Sequence, residues 1–192
     1  MVRSFLDEAE LGTLGCLVER LFPATPGEPG ATDLHVVEYI EGQLAGSWGQ
    51  GGSMYRQGPH ATPEHAGHGW QSPMTPAEAY HYGLSAINRY AWKRFQRSFP
   101  DLSARQQNSV IRELAADHMD TFTKLSARDF FAMVYQNLQE GLYADPAYGG
   151  NYEMQGWRWL GYPGAASEHG AEYRDEVRHP SRPYRPNPRS LP

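Results

Sequence analysis

Apolar residues recur with helical spacing along most of the chain. In five stretches they return every three or four residues, which is the period of one face of an α-helix. These stretches predict helices over about 5–21, 33–45, 75–99, 103–118 and 126–141. No stretch shows the strict alternation of a half-buried β-strand. The pattern therefore predicts an all-α fold, a single-domain bundle of about five helices.

The predicted helix ends rest on capping residues and on helix breakers. Residues that favour the N-cap precede the helices: Ser4, Thr32 or Asp33, Thr75, Ser103 and Ser126. Thr75 is the clearest start. It forms a capping box with Glu78, and Pro76 occupies the first helical position, which proline favours. Proline and glycine mark the ends of four helices: Pro23, Gly46, Pro100 and Gly141.

Two stretches have a different character from the helices. Residues 46–74 form a long inserted loop rich in Gly and His, within a domain that we place at 1–164. Residues 165–192 form an extended Pro/Arg-rich tail that cannot bury a core of its own. Two interpretations stay open for the tail: it is a disordered end of the chain, or it is an extended segment wrapped along a partner chain. In the second case its arginines bind the partner: Arg178, Arg182, Arg185 and Arg189.

The stretch 145–164 combines five glycines, two prolines and five aromatic residues, a mixture that fits neither a helix nor a strand. Its Gly-Gly-Asn sequence at 149–151 predicts positive φ angles. The stretch is either a structured loop over the protein's own core or a docking surface for another chain. We favour the docking surface, because the five helices already supply enough apolar residues for a core. The predicted partner-binding residues are Tyr148, Gly149, Gly150, Asn151, Trp157, Trp159 and Tyr162.

Composition excludes several classes of function. The 192 residues carry a formal net charge of −5, which argues against a general nucleic-acid or anionic-membrane binder. The single cysteine, Cys16, excludes an internal disulfide and a cysteine metal cluster. It is expected either to lie in the core or to pair with a cysteine of a partner chain. No apolar run approaches the roughly 20 residues of a membrane span, and no signal peptide is visible.

Candidate chemistry is sparse. Histidines that could bind zinc or copper, or simply be solvated, cluster in the long loop: His60, His65 and His68. His118, with Asp117 and Asp120, suggests either acid–base chemistry or a polar helix end. His81 is expected to be a buried or interfacial hydrogen-bonding residue. Nucleotide-binding, serine-hydrolase and zinc-protease motifs do not occur. We therefore predict no catalytic, cofactor-binding or metal-binding residue.

Three blocks with fixed spacing carry a family resemblance. They are Asp145-Pro146-x-Tyr148-Gly149-Gly150-Asn151, Gly156-Trp157 and Gly161-Tyr162-Pro163-Gly164. Together they resemble the C-terminal motif of the small (gamma) subunit of gluconate 2-dehydrogenase and related flavin-dependent sugar dehydrogenases. Further similarities extend the resemblance over about residues 5–164.

The resemblance implies a non-catalytic subunit. In this family the redox chemistry belongs to a large FAD-binding subunit of the glucose–methanol–choline type, and many members add a cytochrome c subunit. The small subunit holds no cofactor, stabilises the large one and, through a leader, carries it to the periplasm. In this chain the leader was removed, or it lies on another subunit, or the complex is not exported. A stand-alone metal-binding redox enzyme and an unrelated helical scaffold are the alternatives. The sugar or sugar acid is not predicted.

Overall fold

The computed structural model describes residues 4–52, 54 and 72–162. Most of the predicted long loop and the whole predicted tail lie outside these ranges. The three loop histidines and the four tail arginines therefore lie outside the described residues, as do Pro163 and Gly164.

The described part of the chain is one all-α domain with six helices and no β-strand. The helices are α1 (Glu8–Leu21), α2 (Val36–Ala45), α3 (Pro76–Phe95), α4 (Ala104–Ala115), α5 (Ala127–Tyr143) and α6 (Gln155–Leu160). Two 3₁₀ turns, Pro146–Tyr148 and Tyr152–Met154, lie between α5 and α6. Helix α5 is central, since it contacts each of the other five helices. The predicted all-α class is confirmed, and α6 is an addition to the five predicted helices.

Three of the predicted helix starts are correct. Thr75 and Glu78 form the expected capping box, in which Thr75 Oγ1 accepts from the Glu78 N–H at 3.2 Å. Ser126 caps α5 by accepting from the Asp129 N–H at 3.2 Å. Ser103 precedes α4, and its N–H donates to the side chain of Gln106 at 3.0 Å.

The starts of α1 and α2 were predicted wrongly. Ser4 and Thr32 bind carboxylates of other helices, and Asp33, the other expected cap of α2, accepts from the Gly30 N–H at 2.9 Å. Ser4 donates its hydroxyl to Glu41 on α2 at 2.5 Å, and α1 begins after Asp7 instead. Thr32 donates its backbone and side-chain hydrogens to Glu19 on α1 at 3.0 and 2.9 Å. Helix α2 therefore begins only after His35, which adopts a left-handed conformation with φ of 55°.

Three helix ends also differ from the prediction, and the first is that of α4, which ends at Ala115 and not at about 118. Helix α3 ends at Phe95, several residues before Pro100, because Gln96 turns into the left-handed region with φ of 57°. Helix α5 continues through Gly141 to Tyr143. A Cβ atom at position 141 would lie 3.2 Å from the side chains of Val36 and Tyr39. The glycine therefore permits close packing of α2 on α5 and does not end the helix.

The core lies between α5 and helices α1 to α4. Its largest fully buried side chains include Tyr80, Phe99 and Phe130. A short polar network crosses this core, in which the Tyr80 hydroxyl donates to Asn137 Oδ1 at 2.7 Å. Asn137 Nδ2 donates in turn to Glu140 Oε2 at 3.0 Å. Glu140 Oε2 also accepts from the Tyr39 hydroxyl at 3.3 Å, so the network joins α3 and α5 to α2.

Candidate partner-binding surface

One buried asparagine fixes the aromatic segment, which we define as residues 145–162, to the end of α5. Asn151 is 0% exposed, and its backbone N–H donates to the Gly141 carbonyl at 2.7 Å. Its side-chain Nδ2 donates to the Ala144 carbonyl at 2.9 Å. Its Oδ1 accepts from the Gly156 N–H at 2.8 Å. The residue thus joins the end of α5 to the start of α6.

Two glycines let the backbone of the aromatic segment pack directly against the backbone of α5. A Cβ atom at Gly150 would overlap the Gly141 carbonyl oxygen, and one at Gly156 would overlap the Leu142 carbonyl oxygen. Positive φ angles occur at Gly149 (97°) and at Asn151 (46°). The prediction of positive φ is thus correct for these two residues, whereas Gly150 is required for its small size.

The two tryptophans of the segment are half-buried and cover the bundle. Trp157 donates its indole N–H to the Tyr143 carbonyl at 2.8 Å and meets the ring of Tyr162 edge-on at 5.3 Å. Trp159 meets Phe22 edge-on, with 5.6 Å between ring centroids. For these two residues the interpretation as core cover agrees with the structure.

The remaining large apolar side chains of the segment point to an exposed face. Seven large hydrophobic residues are exposed in the described ranges, and five of them belong to this segment. These five, which we call the exposed face, are Tyr148, Tyr152, Met154, Leu160 and Tyr162. Tyr148 is 65% exposed, an unusual position for so large an aromatic ring. A concentration of exposed large apolar side chains in one segment is typical of a protein–protein contact site.

The predicted partner-binding set therefore divides into three groups, and the half-buried Trp157 and Trp159 form one of them. Tyr148, Gly149 and Tyr162 lie at the surface, whereas Gly150 and Asn151 are buried and hold the segment in place. Sequence reasoning missed three members of the exposed face: Tyr152, Met154 and Leu160. The spacing of the buried positions 150, 151 and 156 could have indicated them, because the residues between these positions face away from α5.

The exposed face begins beside a run of unusual backbone. His35, Asn151, Glu153 and Met154 are four of the six non-glycine residues with positive φ in the described ranges. The His35 ring stacks on the Tyr152 ring with centroids 4.1 Å apart. The Tyr152 N–H donates to the Leu34 carbonyl at 3.3 Å. Four left-handed residues thus meet where the segment crosses the start of α2, and non-glycine residues in this region carry conformational strain.

Comparison with protein families gives a match that covers the surface just described. The chain matches the family described as Gluconate 2-dehydrogenase subunit 3 over residues 8–164. The chain belongs to this family. The match includes all six helices and the aromatic segment. Searches of curated proteins and of solved structures gave no match.

Membership in the gluconate 2-dehydrogenase subunit 3 family places the chain among small subunits of dehydrogenase complexes. The complex is an FAD dehydrogenase. Within the described ranges, no group of three or more His, Cys, Asp or Glu side chains is arranged to hold a metal. None of the described helices is both long and apolar enough to cross a membrane.

The candidate acid–base residues of this subunit 3 chain act at helix ends. Asp117 caps α5 by accepting from the Ser126 hydroxyl at 3.0 Å and from the Arg128 N–H at 3.2 Å. These hydrogen bonds, led by that from Arg128, lower the pKa of Asp117. His118 lies 3.4 Å from Glu113, and Asp120 pairs with Lys93. The interpretation as a polar helix end is correct, because the three residues have separate partners.

His81 and Cys16 also have structural surroundings. His81 Nδ1 lies 2.7 Å from Glu10 Oε1 and so links α3 to α1, as an exposed rather than a buried residue. Cys16 is a half-buried thiol packed against the core. Burial raises the pKa of its thiol, while a hydrogen bond with Gln107 opposes the shift. A raised pKa reduces the thiolate fraction, so the thiol is a weak nucleophile at neutral pH.

Proposed function

We propose that this chain is the non-catalytic small subunit of an FAD-dependent dehydrogenase that oxidises a sugar or a sugar acid. Its role is to bind and stabilise the large, FAD-bearing subunit of the glucose–methanol–choline type. The exposed face is the observation that carries the proposal. It is apolar, it belongs to a member of a family of complex-forming subunits, and it lies within the family match.

The architecture of the segment supports a binding role. Aromatic rings provide a large contact area with few rotatable bonds, and they are enriched at the centres of protein interfaces. The buried Asn151 and the close approach of Gly150 and Gly156 to α5 hold these rings in one arrangement before binding. A preorganised surface loses less conformational entropy on association. A subunit that binds only the folded form of its partner also stabilises that form by mass action.

Other parts of the complex follow from the same proposal. The FAD and the catalytic residues belong to the large subunit, and a cytochrome c subunit accepts the electrons. In the assembled complex the arginines of the tail pair with carboxylates of the large subunit, because guanidinium groups bind carboxylates in a bidentate manner. The assembled complex works in the periplasm. Fractionation of cells that express both subunits tests this location, and recovery of the complex in the cytoplasm would contradict it.

Co-expression with the large subunit tests the binding role. The test variant is Tyr148→Ser with Tyr162→Ser, which removes two rings of the exposed face. The matched control is Trp92→Ser with Tyr135→Ser, because these rings are 54% and 44% exposed but lie on α3 and α5 outside the segment. The measurements are the yield of the large subunit and its flavin absorbance.

We expect the test variant to weaken assembly by about thirtyfold to eight hundredfold, since interface tyrosines often contribute about 1–2 kcal/mol each. The large subunit should then lose yield and flavin, whereas the control variant should retain both. The proposal would be overturned if the large subunit had the same flavin content when expressed with the wild-type chain, with the test variant and with no small subunit. If the control variant lost more yield and flavin than the test variant, the binding surface would lie on α3 and α5.

A further inference from the structure

An open groove lies between the turn at 24–33 and the first residues of the Tyr152–Met154 turn and α6. Its volume is about 630 Å³. Glu28 and Asp33 are exposed carboxylates in its lining, and no lysine or arginine of the described ranges lines it. The stacked pair His35 and Tyr152 lies in the same lining, together with Pro29. The groove therefore offers negative charge beside an aromatic ring, and we call it the acidic groove.

Hydrogen bonds from α1 hold the acidic groove open in one shape. The carboxylate of Glu19 accepts from the Ala24 N–H at 2.9 Å and from the Thr32 N–H at 3.0 Å. Thr25 and Glu28 exchange backbone hydrogen bonds of 3.1 and 2.9 Å across the tip of the turn. The opposite side is fixed by the contact of Tyr152 with Leu34. Hydrogen bonds thus fix the groove on both of its sides.

The chain itself contains a segment with the matching chemistry. Of its 17 Lys and Arg residues, four lie in 178–192, which holds none of its 22 Asp and Glu residues. The rest of the chain therefore has 13 basic and 22 acidic residues, a formal net charge of −9. The last residues are basic while the remainder is strongly acidic, so the two parts attract each other.

The spacing of the segment also fits an aromatic groove. Prolines occupy positions 180, 183 and 186, and arginines occupy positions 182 and 185. A polyproline II helix has three residues per turn, so residues spaced by three share one edge. One edge of such a helix would carry prolines and a neighbouring edge would carry guanidinium groups. Aromatic-lined grooves bind proline-rich segments of this kind.

The connection to the acidic groove is long enough for binding within one molecule. Arg178 lies 16 residues after Tyr162. An extended chain of that length spans at most about 55 Å, whereas the six residues of α6 rise only about 9 Å from the groove. A tethered segment that reaches its site binds at a high effective concentration.

We propose that in the free subunit residues 178–192 bind the acidic groove of the same chain. Arg182 and Arg185 pair with Glu28 and Asp33, and a proline of the segment packs on the Tyr152 ring. The proposal concerns the subunit before assembly and does not rest on the proposed function. It identifies the occupant of the groove as this chain's own C-terminal residues.

Hydrogen exchange on the full-length chain alone tests this proposal. The test variant is Arg182→Glu with Arg185→Glu. The control variant is Arg97→Glu with Arg105→Glu, which reverses two exposed arginines of the helical domain. At low salt we expect amides of 24–35 and 151–155 to exchange about fivefold faster in the test variant, which is the effect of losing two exposed ion pairs. The control should match the wild-type chain.

A charge exchange sharpens the test from the side of the groove. Glu28→Arg should also speed exchange at 24–35, and combining it with Arg182→Glu and Arg185→Glu should restore part of the protection. Glu8→Arg is the matched control, because Glu8 lies at the other end of α1, about 20 Å along the helix. High salt should remove the protection in the wild-type chain, since exposed charges are screened.

Three outcomes would overturn the proposal. The first is unchanged exchange in the test variant and in a second variant, Arg182→Gln with Arg185→Gln. The second is an equal change in the Arg97 and Arg105 control. The third is protection that increases with protein concentration together with a dimer in sedimentation, which would place the segment in the groove of a second copy.

Discussion

The helical bundle and the aromatic segment use their side chains in opposite ways. In the bundle, the large apolar residues face inward and the polar ones face solvent. In the segment, glycine, asparagine and the two half-buried tryptophans face inward, whereas tyrosine, methionine and leucine face solvent. The bundle is therefore stabilised by side-chain burial, whereas the segment is attached by backbone contacts, by Asn151 and by the two tryptophans.

In the segment, the residues that attach it to the bundle differ from those that are exposed for binding another molecule. A segment held by glycines, by Asn151 and by two tryptophans leaves its tyrosine, methionine and leucine side chains available for another molecule. If the same rings held the segment in place, any change in the contact surface would also change its attachment. Substitutions and changes of pH can show how independent the two regions are, beginning with the largest expected effect.

Replacement of a buried ring should affect the bundle as a whole. Phe130 is fully buried, meets Tyr80 edge-on at 5.5 Å and packs against Gly83. We expect Phe130→Ala to lower the free energy of unfolding by about 3–5 kcal/mol, measured by urea denaturation. The neighbouring Phe131 is half-buried, so Phe131→Ala should cost about half as much. Equal losses would show that the deeper burial of Phe130 does not add to the stability of the bundle.

Replacement of the buried asparagine should affect only the segment. Asn151→Ala would leave the Ala144 carbonyl and the Gly156 N–H without their partner. We expect a cost of about 2–4 kcal/mol for this local loss, because buried unpaired groups carry desolvation penalties. Hydrogen exchange should increase in 145–162 and stay unchanged in α1 to α5.

The matched control for this change is Asn108→Ala on α4. It should leave exchange in the segment as it is in the wild-type chain. Cooperative unfolding of the whole domain by Asn151→Ala would mean that the segment is an integral part of the core. That result would contradict the separation of the two regions.

Alkaline pH should weaken the bundle through its buried tyrosines. Burial, followed by the charge of Glu140, raises the pKa of Tyr39 to about 12. Burial likewise raises the pKa of Tyr80 well above its ordinary value. Because the folded state favours the neutral phenols, their stabilising effect is complete below about pH 10. It is lost as the pH rises through the folded-state pKa values.

Unfolding measured between pH 10 and 12 tests this dependence. The slope should reach about 1.4 kcal/mol per pH unit for each tyrosine that titrates only on unfolding. Tyr39→Phe should remove the contribution of Tyr39 to this slope. An unchanged slope in Tyr39→Phe would show that Glu140 and burial do not control this phenol.

Acid should have the smallest effect, at the start of α5. The pKa of Asp117 is lowered by hydrogen bonds, first that from the Arg128 N–H, so its ionised form stabilises the folded state. This contribution is present above about pH 4 and is lost as the pH falls through the lowered pKa. Asp117→Asn should therefore be less stable than the wild-type chain at pH 6 and equal to it at pH 2. Asp120→Asn serves as the control, and a difference that persists at pH 2 would show that the charge of Asp117 is not what stabilises this helix start.

The sequence predicted the bundle better than its boundaries. Apolar spacing identified five helices because each is long enough to show a periodic face. The start of α1 was misplaced because Glu41, distant in sequence, binds Ser4. Gly141 was taken as a helix end because the packing of α2 against it depends on the tertiary structure.

The candidate surface was located by its composition but not resolved into inner and outer residues. Helix α6 was missed because six residues are too few to show a periodic apolar face. The aromatic residues of 145–162 look alike in the sequence. Only the contacts of Trp157 and Trp159 with the bundle separate them from the exposed rings. Partner binding by any of these residues stays a prediction.

The two close-approach glycines also have a consequence for protein engineering. At positions 150 and 156 a backbone carbonyl of α5 occupies the place of any β-carbon, so variation there is blocked by sterics alone. Positions 148 and 162 meet no such barrier, since both side chains extend into solvent. A library randomised at the outer positions and fixed at the inner ones should therefore retain the scaffold while altering its binding specificity.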